Sequence, residues 1–113
     1  MKMVTSPIQL DELAQMARQT FGDLVKAVVD VDRCIMVVDA EMHSDEEALL
    51  LEQGSLQGSL WGINLYPELA GDERIEFDSM INIRPSQGNR SRGVDSAGTR
   101  DRIRAIVESL VAP

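Results

Sequence analysis

Residues 81 to 93, Ile-Asn-Ile-Arg-Pro-Ser-Gln-Gly-Asn-Arg-Ser-Arg-Gly, set three arginines in a turn-rich loop that runs into a helix. The guanidinium forks of Arg84, Arg90 and Arg92 suit carboxylate or phosphate, which they bind through paired N–H bonds. Gly88 and Gly93 let backbone amides turn toward an anion, and the start of the next helix adds unpaired N–H groups. Asn89 and Ser91 supply further donors. The pattern points to recognition of a small anion or phosphate, or of an acidic segment of a partner protein, by Arg84, Asn89, Arg90, Ser91 and Arg92. The same side chains would equally tether a long loop to acids elsewhere in the chain. The spacing is not that of a Walker loop, because the Gly-Lys-Ser/Thr ending is missing.

A second constellation is Asp39-Ala40-Glu41-Met42-His43. Alternation along a strand would put two carboxylates and the only imidazole on one side. Joined by Glu76 or Asp78, that set has the oxygen and nitrogen donors a divalent metal takes. No ligand spacing here matches a metal motif, and none is assigned. The other chemistry open to it is metal-free phosphoester or nucleic-acid hydrolysis. His43 and a carboxylate, Glu41 or Glu76, would exchange protons, and an arginine would stabilise the phosphorane. Alternating acids also mark the solvated face of a sheet. Binding is the leading reading, hydrolysis the alternative, and self-association through an open sheet face or edge a third. No cofactor is implied.

The bulk properties bound these choices. With 113 residues the chain forms one domain, 1–113, able to bury about two-thirds of its unfolded surface. The net charge of −8 conceals an asymmetry. Residues 1–83 carry five Lys/Arg against sixteen Asp/Glu, and residues 84–113 carry six Arg against three acids. The overall field argues against nucleic acid as a partner. A small anion needs only the local positive end. The lone Cys34 permits no intrachain disulfide and fits a reducing, cytoplasmic setting. No signal-peptide core and no apolar run of membrane-spanning length is present, so no membrane partner is expected.

The elements that must position these residues follow from periodicity. Ser6-Pro7-Ile8-Gln9 reads as a capped helix start, with Leu10, Leu13, Ala14, Ala17 and Phe21 carrying a helix over 7–20. Residues 25–32 and 35–42 read as two strands of a hairpin. Ser44-Asp45-Glu46-Glu47 opens a short helix with acids in its first turn, where the dipole favours them. Residues 60–66 form a third strand closed by Pro67, and 74–84 alternate as a fourth. The last helix spans 96–111, capped by Asp95 or Thr99, with Ile103, Ile106, Val107 and Leu110 inward. The order α-β-β-α-β-β-α gives an α+β two-layer sandwich: a four-stranded, largely antiparallel sheet with helices on one face. Its open face would show Lys26, Asp30, Asp39, Glu41, His43, Asn64, Glu76, Asp78, Asn82 and Arg84. Trp61, Tyr66 and Phe77 are expected to pack in the sheet or core, and Met36, Met42 and Met80 to fill gaps there.

Val25–Val31 (VKAVVDV), Asp45–Ser55 (DEEALLLEQGS), Leu60–Pro67 (LWGINLYP) and Ile75–Arg92 (IEFDSMINIRPSQGNRSR) together resemble a small prokaryotic domain-of-unknown-function family. The resemblance covers nearly the whole chain. It implies a single compact domain and no particular activity, ligand or catalytic residue.

Overall fold

The computed structural model describes residues 1–113. The expected hairpin is present: β3 (Val25–Asp30) runs antiparallel to β4 (Ile35–Val38), with Val28 opposite Val37. β4 stops at Val38 because Asp39 takes a left-handed φ of 72°, which turns residues 39–42 out of the sheet. β5 (Leu60–Leu65) pairs antiparallel on the other side of β3, with Asn64 opposite Lys26.

The sheet has five strands rather than four. β1 (Lys2–Val4) adds antiparallel to β4, and β6 (Ile75–Glu76) adds antiparallel to β5, giving the order β1-β4-β3-β5-β6. The helix expected from residue 7 begins at Leu10 instead, as α1 (Leu10–Gln19). Ile8–Gln9 form a two-residue strand, β2, parallel to β7 (Val111–Ala112) at the end of α3 (Ala97–Leu110). Ser96, rather than Asp95 or Thr99, caps α3: its hydroxyl accepts from Thr99 N–H.

Helices lie on both faces of the sheet, not one. The larger core joins Val25, Ala27, Val29, Met36, Val38, Trp61, Ile63 and Leu65 to α1 and α3. A smaller one sets Val28, Ile35, Val37 and Leu60 against Leu50 of α2 (His43–Glu52). Nearly continuous apolar runs such as VKAVVDV are what burial on both faces requires.

The largest departure is the fourth strand. Its alternation predicts a strand over 74–84, yet pairing ends at Glu76 and Phe77 packs against the larger core. The chain then folds back in short 3-10 turns, the first of them, Met80–Asn82, against β5 and α2. Gly62 is the reason such an approach is possible. A Cβ there would stand 2.5 Å from Ser79 Cβ, so the turn lies directly on the strand. The Asn82 side chain then takes the place of a strand partner, accepting from Gly62 N–H at 2.8 Å and donating to Gly62 C=O at 2.9 Å.

Candidate functional site

The three arginines of the loop go three ways. Arg84 turns inward: its guanidinium lies 4.1 Å from the centre of the Trp61 ring and donates to the carbonyls of Gln57 and Leu60. Burial lowers its pKa, with Glu47 opposing the effect. Arg90 is exposed and makes no ion pair. Arg92 reaches back to Asp78, Nε to Oδ1 at 2.6 Å.

Asn89 and Ser91 are engaged within the loop. Asn89, buried, donates Nδ2–H to the carbonyls of Asn82, Ser91 and Gly93 and accepts from Asp95 N–H. The Ser91 hydroxyl and Arg90 N–H both donate to the Asp95 carboxylate. Those bonds, the Ser91 hydroxyl first, hold the Asp95 pKa below the usual carboxylate range. The loop donors thus bind a carboxylate of the chain itself.

The second constellation also divides. Because Asp39 leaves the strand, Glu41 and His43 do not share a sheet face. Glu41 is exposed beside Asp45 and Glu52 along the outside of α2, while His43, first residue of α2, faces inward and is 8 % exposed. No group of three or more His, Cys, Asp or Glu side chains is placed to hold a metal ion.

His43 and Arg92 do meet, in a cleft of about 190 Å³ between the start of α2 and residues 78–81. Two strands build its floor by register: Lys26 on β3 stands opposite Asn64 on β5, and behind the floor Asn64 stands opposite Glu76 on β6. Asp78 and Arg92 form one wall, His43 another. His43 Nε2 lies 2.7 Å from the Ile63 carbonyl oxygen. A carbonyl only accepts, so Nε2 carries the proton and Nδ1 of the neutral ring is a free acceptor. Burial, against the pull of that carbonyl, pushes the His43 pKa below its usual value; Lys26 and Arg92 push the same way and Asp78 opposes them.

Asn64 is the best-positioned polar group there. Its Nδ2 donates to Glu76 Oε1 at 2.8 Å, where the Tyr66 hydroxyl also donates. The residue is 7 % exposed, and Oδ1 is buried without a hydrogen-bond partner. An unmet buried acceptor costs about 1–3 kcal/mol. Met42 and Met80, expected in the core, instead flank the cleft at 58 % and 64 % exposure. Only Met36 of the three is a core residue.

Beneath the start of α2 lies Glu46, one of the first-turn acids expected to complement the helix dipole. It is fully buried, and that burial pushes its pKa up to about 9. It therefore stands neutral at pH 7, accepting from Ala40 N–H at Oε2. A larger cleft, of about 410 Å³, opens at the start of α3. Its polar groups bind one another: Ser59 donates to Asp32, and Asn89, Asp95 and Ser96 complete the loop and helix cap.

Sequence reasoning placed Lys26 and Asn64 on one polar face without marking them as site residues, and considered Asp78 only beside Asp39, Glu41 and His43. The available signal was strand register, which needs the strand order.

The chain is thus a small α+β domain with a polar cleft built between two strands, the start of α2 and a folded-back loop, and none of its helices is long and apolar enough to cross a membrane. It belongs to the family described as protein of unknown function (DUF5674), whose model matches residues 2–110. No curated protein and no solved structure matches it.

Proposed function

We propose that this domain binds a small molecule through an anionic group received in the cleft of Lys26, His43, Asn64 and Arg92. The observation that supports this reading most is that Lys26, whose ammonium lies 5.2 Å from the centre of the Phe21 ring, and Arg92 line a cleft where a buried acceptor, Asn64 Oδ1, lacks its donor. Such a cleft gains from an occupant. The sequence assigned anion binding to Arg84, Arg90 and Arg92 together; in the present reading Arg92 binds, Arg84 holds the loop, and Arg90 is uninvolved.

The experiment is a titration with acetate and with inorganic phosphate, followed by amide shifts in two-dimensional nitrogen–proton NMR spectra. Saturable shifts at residues 42–44, 64, 78–81 and 92, lost in the Lys26→Gln, Arg92→Gln double variant, are expected. Absence of saturable shifts at those residues with either anion overturns the reading.

A second reading, phosphoester hydrolysis, rests on the neutral His43 ring with Nδ1 free beside Arg92. There His43 would take a proton from attacking water and Arg92 would hold a phosphoryl oxygen. Glu76, tied to Asn64 and Tyr66, would serve to orient Asn64. Turnover of a chromogenic phosphoester that persists unchanged in His43→Gln removes this reading.

A further inference from the structure

The charges of the cleft are mixed, and this narrows what it can hold. Lys26 and Arg92 are positive, but Asp78 already bonds Arg92, and Glu76 holds the Asn64 amide. A phosphate dianion would set its charge against both carboxylates. One buried acceptor also lacks a donor, Asn64 Oδ1 in the floor. A fully ionised oxyanion, an acceptor only, leaves it unmet.

The mouth adds a third requirement. Met42 and Met80 expose unbranched thioether chains on either side of the opening, and such side chains adapt their shape around an apolar body. The volume, about 190 Å³, lies below the roughly 300–1,000 Å³ of pockets that take drug-sized ligands. It suits a molecule the size of a free amino acid.

From this combination we infer that the ligand is a small zwitterion of the α-amino-acid type, with an apolar side chain. Its carboxylate meets Lys26 and Arg92, its ammonium meets Asn64 Oδ1 and Asp78, and its side chain lies between Met42 and Met80. Asp78 exchanges the Arg92 guanidinium for the ligand ammonium, which releases the fork for the carboxylate. The inference rests on the anion reading above and adds to it the donor and the apolar body. Asn64 Oδ1 is closed to bulk water, so the ammonium reaches it through a shift of the side chains that line the cleft.

The test is a thermal-shift and amide-shift screen of the full chain against the individual protein amino acids at millimolar concentration. Each hit is repeated with its decarboxylated amine and its deaminated acid. The expected result is an apolar amino acid that raises Tm and shifts residues 42–44, 64 and 78–81, with each half-molecule binding at least about tenfold more weakly. Arg92→Gln, whose side chain is largely exposed, keeps the fold and weakens binding of the amino acid and the acid but not of the amine. If the deaminated acid binds as tightly as the amino acid, the zwitterion inference fails and the anion reading stands. If neither amino acids nor acids shift the cleft, both fail. Shifts confined to the larger cleft beside α3 overturn both as well.

Discussion

The carboxamide of Asn82 pairs with both backbone groups of Gly62, as a neighbouring strand residue would. The same Nδ2 also donates to the Arg92 carbonyl at 2.9 Å. One buried side chain therefore ends the sheet, holds the folded-back segment and shapes the wall that carries Asp78 and Arg92. Asn82→Ala leaves at least two buried backbone groups unmet, at about 1–3 kcal/mol each. The expected loss is about 2–4 kcal/mol, read from the denaturant midpoint at unchanged m-value. A loss under about 0.5 kcal/mol would show that water replaces the amide without cost.

Gly62 makes a separate prediction through space rather than hydrogen bonding. A Cβ at 62 would meet Ser79 Cβ at 2.5 Å and its Oγ at 2.6 Å, and Gly62 has no positive φ to strain. Gly62→Ala should therefore cost about 1–3 kcal/mol by overpacking. Ser79→Gly in the same chain should recover part of that loss by removing the opposing atoms. Additive losses in the double variant would contradict the close-approach account.

Arg84 and Arg90 lie six residues apart in one loop and should behave oppositely. Arg84 stacks on Trp61 and donates to two carbonyls of residues 57–60, so its loss removes both packing and hydrogen bonds. Arg84→Ala is expected to lower stability by about 2–4 kcal/mol, and Arg84→Lys to restore little of it, because an ammonium cannot reproduce the planar fork. Arg90→Ala should change stability by less than about 0.5 kcal/mol. Equal effects on unfolding from the two alanine variants would mean the loop has no inward anchor.

These contrasts show what the sequence could and could not reveal. The β3–β4 hairpin, β5 and the helices were legible because their periodicity and turn residues agree with the fold. The two-sided burial was written in Val25–Val31, where apolar residues run on without strict alternation. Residues 74–84 misled because Ile75, Phe77, Ile81 and Ile83 alternate as a strand should. What stops the pairing is a set of long-range bonds from Asn82 and the missing Cβ at Gly62, neither visible in local pattern. β1 is three residues at the start of the chain, too short for periodicity to mark. Of the cleft, His43 and Arg92 stood out by residue type. Lys26 and Asn64 become a pair only through register on β3 and β5.

His43 and Glu46 give stability opposite slopes with pH. The His43 pKa is lowered on folding, so between that value and the unfolded value of about 6.5 the unfolded chain binds more protons. Its contribution is complete above about pH 6.5 and is lost as pH falls through the folded pKa. His43→Gln should flatten the acid side of the stability curve. Glu46 works the other way: its folded pKa is about 9 against 4.5 unfolded. Its contribution is complete below 4.5 and declines as pH rises toward 9, by on the order of a few kcal/mol. Glu46→Gln keeps an acceptor for Ala40 N–H and removes the ionisable proton. The variant should equal the wild type near pH 4 and exceed it by at least about 1 kcal/mol at pH 8, in denaturant midpoints taken across that range. Parallel curves for the two proteins would mean that Glu46 ionises in the folded state with an ordinary pKa, and that the start of α2 opens to water.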